Sequence, residues 1–236
     1  MTSSFRLGYV PGVTPAKWAR IWAERLPRTP IELIQVPAAD AVGLVRDARA
    51  DAALVRLPID RTGLHAIPLY VEQTVVVVPK DHLVTAAEEV TLDDLADELV
   101  LHPQDDVLEW ERPLPGRVID ERPATTADAI ALVAMGTGLL VVPMSLARLH
   151  HRKDLTYRPL TDAPVSQVAL TWPEEAESTL VEEFVGIVRG RTANSTRGSR
   201  PEPAPAPKKK QPAAPARAKK KAGAPKGPTP KRKYRR

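Results

Sequence analysis

Threonines that can hold an anion stand at two predicted helix starts in this chain. Thr14 precedes a proline suited to the first helical position, and residues 125–128 have the Ser/Thr-x-x-Asp/Glu pattern of a helix cap. The free amides and the partial positive charge at a helix start favour a small anion. We therefore predict that a small carboxylate contacts Val13, Thr14, Thr125 and Thr126. Plain helix capping is the alternative role of the threonines.

Further candidate contacts follow two predicted strands. Ligands in open α/β sheets bind beyond the carboxyl ends of the strands. Arg56 and Pro58 lie at the end of a predicted strand at 52–57, and His102 follows another at 99–101. Arg56 can clamp a carboxylate or be an ordinary surface arginine. His102 can line the same cleft or belong to a solvated loop.

Residue types and spacings predict no catalytic residue, metal or cofactor. The chain has no cysteine, which excludes thiolate ligands and nucleophiles. The adjacent histidines at 150–151 lack a third ligand at metal-binding spacing. The acidic residues of 105–111 have no nucleophile or phosphate loop beside them, so we assign them to a solvated loop. The Gly-x-Gly at 136–138 follows a helix and precedes a strand, the reverse of a dinucleotide-binding motif.

Apolar patterning predicts alternating strands and helices. We predict strands at 5–10, 31–36, 52–57, 66–70, 73–78, 99–101, 117–120, 139–142 and 165–172, and helices at 15–26, 41–48, 125–135, 145–149 and 178–188. This alternation indicates an α/β fold with parallel pairing and right-handed crossovers. The wholly apolar run at 139–142 predicts a strand covered on both faces, and Gly136 stands where a left-handed helix end is expected.

Charge divides the chain into two parts. Residues 198–236 hold 14 lysines and arginines and one acidic residue, a charge of about +13. The first 197 residues hold 20 basic and 28 acidic residues, a charge of about −8. A body of this length can bury a substantial core, whereas a proline-rich, highly charged segment cannot offset its ordering entropy. We therefore predict a folded body and a disordered Lys/Pro/Ala-rich tail at 196–236.

The tail is predicted to contact DNA or RNA without reading bases, because clustered cations bind phosphates. Its composition resembles that of linker-histone tails. The alternatives are a solubilising arm and an arm that folds back onto the acidic body. The predicted nucleic-acid contacts are Lys208, Lys209, Lys210, Lys219, Lys220, Lys221, Lys231, Arg232, Lys233, Arg235 and Arg236.

Six segments of the body, in their order and spacing, carry a family resemblance. They lie at 6–10, 51–56, 63–69, 75–84, 91–95 and, most diagnostically, 131–143. Together they resemble the effector-binding (substrate-binding) domain of LysR-type transcriptional regulators, which has a type 2 periplasmic-binding-protein fold. The N-terminal winged helix-turn-helix of that family is absent from this sequence, so we do not carry over sequence-specific DNA reading.

The resemblance implies two Rossmann-like α/β lobes joined by two crossover strands, with a small-molecule cleft between them. The lobes are expected at 1–80 with 162–195 and at 81–161. Family members usually pair through these domains, so the resemblance also implies a homodimer.

The sequence thus favours a sensor of a small organic acid that is linked to transcription regulation. The alternatives are a solute-binding protein of a transport system, and a nucleoid-associated protein whose body serves only for oligomerisation. An enzyme is the least favoured class. The start of the chain has no secretory-signal pattern, and no apolar run reaches the roughly 18 residues that span a bilayer. We therefore expect a cytoplasmic protein that does not enter membranes, associated with the nucleoid if the tail binds DNA.

Overall fold

The computed structural model describes residues 4–119, 121–176 and 178–191. The predicted tail at 196–236, with all its predicted nucleic-acid contacts, lies outside the described residues. Within the described residues the chain forms two five-stranded sheets. None of the helices found there has both the length and the apolar character needed to cross a membrane.

The first sheet takes its strands from both ends of the body, in the spatial order β2-β1-β3-β10-β4. Its strands are β1 (Phe5–Tyr9), β2 (Ile31–Gln35), β3 (Ala52–Leu57), β4 (Leu64–Glu72) and β10 (Ser166–Pro173). The helices in contact with this sheet or with one another beside it are α1 (Ala16–Arg25), α2 (Ala41–Arg46) and α5 (Thr179–Val188). A short 3₁₀ helix, Ala38–Asp40, precedes α2.

The second sheet has the order β7-β6-β8-β5-β9. Its strands are β5 (Thr74–Pro79), β6 (Leu99–Leu101), β7 (Arg117–Val118), β8 (Leu139–Pro143) and β9 (Leu155–Pro159). The helices α3 (Thr126–Ala134) and α4 (Met144–Leu149) pack against it, and 3₁₀ helices form at Leu83–Ala86 and Asp93–Leu95.

Pairing is mixed rather than parallel throughout. The predicted parallel pairing is confirmed for β1 with β2 and β3, and for β6 with β7 and β8. It is wrong for β5 and β10, which run antiparallel to their neighbours. Each of these strands is the first one after the chain has passed from one sheet to the other. Each runs antiparallel to the strands beside it in its new sheet.

The two passages between the sheets lie side by side. Only Gln73 separates β4 from β5, and the Thr74 hydroxyl donates a hydrogen bond to the carbonyl of Pro164 on the return passage. Strand β5 pairs wholly within the second sheet. The second sheet therefore begins at Thr74, whereas the sequence-based boundary assigned residues up to 80 to the first lobe.

Strands β5 and β8 are covered on both faces, which confirms the prediction made from the apolar run at 139–142. Alternate residues of each strand contribute to different core clusters: Val75, Val77, Leu140 and Val142 to one, and Val76, Val78, Leu139 and Val141 to the other. A strand buried on both faces has no polar face to display, so its sequence is continuously apolar.

Three aromatic residues fix the helices α1 and α5 on the first sheet. The ring of Phe5 stacks on Trp22 with centroids 4.6 Å apart and lies 5.2 Å from the ring of Phe184. All three side chains are fully buried. The Trp22 indole donates to the carbonyl of Thr29 at 2.8 Å, which satisfies its one polar group. This packing fixes the two ends of the loop between β1 and α1.

Candidate functional site

Two cavities lie where the elements of the two sheets meet. The larger, of about 810 Å³, is lined by residues that include Tyr9, Thr14, Tyr70, Glu72 and Arg148. The smaller, of about 520 Å³, is lined on one side by residues 35–38, at the end of β2 and just after it, and on the other by the start of α3 and by α4.

The residues predicted from sequence divide between these cavities. Val13 and Thr14 line the larger cavity. Arg56, Thr125 and Thr126 line the smaller one. Pro58 and His102 line neither of these two cavities. The structure therefore does not bring Thr14 into the same cavity as Thr126.

The predicted cap of α1 by Thr14 is wrong. The helix begins at Ala16, and the N-cap position falls on Pro15, which makes no side-chain capping bond. Pro15 adopts the right-handed helical conformation, and its carbonyl accepts from the amides of Trp18 and Ala19. Proline can begin this turn because its missing amide would have no intrahelical partner there. The Thr14 side chain is left exposed.

Arg56 forms a buried ion pair and is not a surface arginine. Its Nη2 donates to Glu72 at 2.9 Å and to the hydroxyl of Ser145 at 3.0 Å, while Nη1 donates to the carbonyl of Pro11 at 2.9 Å. The side chains of Arg56 and Glu72 are only 4% and 8% exposed. Ser145 lies on α4, so Arg56 links the first sheet to a helix that packs on the second.

Gly12 makes a close approach that leaves no room for a side chain. A Cβ at Gly12 would lie 2.6 Å from the Ser145 hydroxyl and 3.1 Å from Nη2 of Arg56, and the backbone has a φ of +83°. Glycine adopts this conformation without strain. Because Gly12 and Ser145 line the larger cavity and Arg56 lines the smaller, this contact lies between the two cavities.

The start of α3 matches its predicted cap. The Thr125 hydroxyl accepts from the amide of Asp128 at 3.1 Å and donates to the Asp128 carboxylate at 2.7 Å. Thr126 and Ala127 lie in the first turn of the helix, where backbone amides have no hydrogen-bond partner within the helix. Both residues line the smaller cavity. Gly136, with a φ of +76°, follows the helix as predicted.

Thr126 is almost fully buried, and its hydroxyl donates to Oδ1 of Asp105 at 2.9 Å. Sequence reasoning placed both Asp105 and Asp106 in a solvated loop. This is wrong for Asp106, whose carboxylate accepts from the amide of Leu108 and the indole of Trp110. A loop amide and a partly buried indole need an acceptor, and Asp106 supplies it.

Sequence reasoning also missed Glu72 and Ser145. One signal was present, because Arg56 is the charged residue of an otherwise apolar strand. Buried charges are paired, so Arg56 predicts an acidic partner, but nothing in the partly exposed strand β4 identifies Glu72 as that partner. The position of Ser145 depends on long-range packing and had no such signal. In the described part of the chain, no three His, Cys, Asp or Glu side chains come together as a metal site.

His102 lies outside the two cavities, in contact with Asp106 at 3.3 Å and with Arg122 at 3.2 Å. Its pKa is lowered from 6.5, first because burial disfavours the charged ring and then because Arg122 is close; Asp106 partly offsets both effects. A lowered pKa in the folded state means that protonation favours the unfolded chain. Stability linked to His102 is therefore complete above pH 6.5 and falls as the pH drops through the folded pKa.

We expect an NMR titration of the His102 ring to show a midpoint below pH 6.5. Arg122→Gln should raise that midpoint because it removes a nearby positive charge, and His102→Gln identifies the resonance. A midpoint at or above 6.5 in the unmodified protein would contradict this environment for the ring.

A family model described as the LysR substrate binding domain matches residues 3–193. The chain is 28% identical over 156 residues to a "Probable hydrogen peroxide-inducible genes activator" of Mycobacterium avium, covering 61% of this chain and 50% of that protein. It is 30% identical over 157 residues to the "HTH-type transcriptional regulator CatR" of Pseudomonas putida, covering 62% and 54%. The chain thus spans about half the length of these curated relatives.

Among solved structures, the fold is similar to the "BenM effector binding domain with its effector benzoate". The TM-score is 0.66 at 22% identity, over 80% of this chain and 95% of that one. At this identity the likeness is one of fold. It confirms the predicted α/β class with two sheets of the type 2 periplasmic-binding-protein kind.

Proposed function

The chain belongs to the family of LysR substrate-binding domains, and from this membership we propose that it senses a small organic acid between its two sheets. It passes the occupancy of this site on to transcription, in the cytoplasm and as a homodimer. It carries out no chemical reaction on the ligand. The smaller cavity is the proposed effector site.

One observation carries the choice of cavity. The Nε atom of Arg56 is buried and has no hydrogen-bond partner among the described residues, and Arg56 lines the smaller cavity. A buried donor without an acceptor is unfavourable, and the proposed ligand brings an acceptor atom to Nε, for which the wall of the cavity has to open slightly. The first-turn amides of α3 offer further donors to the same space. A carboxylate supplies acceptors for both sets of donors.

We expect a thermal-shift screen of carboxylate metabolites to find a stabilising ligand. At a hundredfold excess over its dissociation constant, a ligand adds about 2.7 kcal/mol to the free energy of unfolding. For a body of this size each kcal/mol raises the Tm by roughly 2–4 °C.

The matched pair Ala38→Trp and Ala16→Trp tests the location. Ala38 lines the smaller cavity and Ala16 the larger, so an indole at Ala38 should abolish the shift and an indole at Ala16 should leave it. A shift that survives Ala38→Trp would place the ligand elsewhere and overturn the proposal.

The kind of signal that this chain senses can be narrowed by comparing it with a relative. The Mycobacterium avium protein is named for hydrogen peroxide, but this chain contains no cysteine. Thiol oxidation is the usual protein chemistry of peroxide sensing. A reversibly bound metabolite is therefore the signal we propose.

For the basic tail we propose non-specific contact with nucleic acid. The support is the separation of charge within the chain, about +13 beyond residue 197 and about −8 before it. Cations clustered on a segment of this composition neutralise phosphates without reading bases.

A further inference from the structure

Besides donors, the smaller cavity presents a carboxylate that an organic acid alone would not satisfy. Asp105 lines this cavity and is exposed. We infer that the effector is zwitterionic: an amino acid with an apolar side chain, whose carboxylate meets Arg56 and the start of α3 and whose ammonium meets Asp105. This inference rests on the proposed function of the same cavity.

The carboxylate of Asp105 has capacity left for a ligand. Its Oδ1 accepts from the hydroxyl of Thr126 at 2.9 Å, and no described residue donates to its Oδ2. The neighbouring Asp106 differs, because its side chain is only 8% exposed and both its oxygens accept from groups of its own segment. The loop is therefore held by Asp106, and Asp105 is not needed for that purpose.

The charged residues that line the cavity also support a zwitterionic ligand. Its titratable lining residues are Arg56, Asp105 and His150. The charge of Arg56 is balanced by Glu72 at 2.9 Å, so the carboxylate of Asp105 is the acidic group that the wall presents without an ion-pair partner. A simple carboxylate would gain hydrogen bonds from Arg56 Nε and the α3 amides but would meet this uncompensated charge. A ligand that adds an ammonium group removes the repulsion and gains a charge-assisted hydrogen bond.

Apart from Gln35 and the threonines of α3, the rest of the lining is apolar, which indicates the nature of the ligand's side chain. The apolar lining residues are Pro11, Val36, Pro37, Ala38, Val107, Ala127, Leu146 and Leu149. Such walls stabilise aliphatic or aromatic groups by burial. A cavity of about 520 Å³ accommodates a ligand of this size.

Matched compounds that differ only at their ends test the inference. Leucine is compared with 4-methylpentanoate, which lacks the ammonium, and with 3-methylbutylamine, which lacks the carboxylate. Phenylalanine is compared in the same way with 3-phenylpropanoate and 2-phenylethylamine. In thermal-shift and calorimetric titrations we expect at least one amino acid to bind roughly tenfold or more tightly than both of its analogues, because a hydrogen bond to a charged group is lost in each.

Asp105→Asn removes the charge without changing the shape, and Glu109→Gln removes a charge from the same segment outside this cavity. The preference for the amino acid over its acid analogue should fall about tenfold in Asp105→Asn and persist in Glu109→Gln. An unchanged melting temperature without ligand shows that Asp105→Asn is folded.

The outcomes separate this inference from the proposed function. The inference of a zwitterionic effector is wrong if the acid analogues bind the unmodified protein as tightly as the amino acids do. It is also wrong if the preference for the amino acid survives Asp105→Asn. The same holds if no amino acid binds. The proposed function still stands if an acid binds and Ala38→Trp blocks it, and it fails if binding is indifferent to Ala38→Trp.

Discussion

Replacing Arg56 by methionine is expected to lower the free energy of unfolding by about 3–5 kcal/mol. The change removes the guanidinium that holds Glu72 at 2.9 Å and leaves a carboxylate that is 8% exposed without a charge partner. It also deprives the Pro11 carbonyl and the Ser145 hydroxyl of their donor. Urea denaturation measures the effect as a lower midpoint at an unchanged m-value.

The double variant Arg56→Met with Glu72→Met is the matched control. Replacing a buried ion pair by apolar residues of similar volume is often neutral or stabilising. We therefore expect the double variant to recover most of the loss, although the Ser145 contact stays broken. A single variant that loses less than about 1 kcal/mol, the value of an exposed pair, would contradict the burial described for this pair.

Deleting residues 198–236 is expected to abolish the retention of DNA at low salt. If six to ten of the 14 basic residues contact phosphates, the affinity of the full chain falls by roughly 10³–10⁵ between 50 and 200 mM salt. The truncated chain, whose charge is about −8, should show no binding over this range. Electrophoretic retardation at several salt concentrations measures both.

Two tail variants separate charge from sequence. A tail with shuffled residue order should bind DNA as the natural tail does, because no base is read. A tail with every lysine replaced by glutamine should bind far more weakly at the same length. Retardation that persists without the tail would show that the body itself holds DNA, and would remove the role proposed for the tail.

Features set by neighbours in the sequence were predictable. The cap of α3 at Thr125, its glycine end at Gly136 and the buried strand β8 each follow from residue types a few positions apart. The fold class followed from the order of such elements and from the family resemblance. The approximate positions of the other helices and strands agree with the structure for the same reason, except for β9 (Leu155–Pro159), which the sequence did not predict.

Features set by packing across the molecule were not predictable. The buried state of Arg56 depends on Glu72, 16 residues away, and on Ser145, 89 residues away. Thr14 and Thr126 line different cavities because the contact of Gly12 with Ser145 lies between them. The direction of β10 depends on its return from the second sheet. No pattern within a short window of sequence carries these relations.

The second sheet is an insertion within the first, since the chain leaves β4 at Glu72 and returns at Ser166. Any protein joined before β1 or after α5 is thereby attached to the first sheet alone. A fluorophore fused beyond residue 191 and a second one placed on the exposed loop at His151 would report rotation of one sheet against the other as a change in energy transfer. A change in that signal on addition of a metabolite would report a ligand-induced rotation before the effector is known.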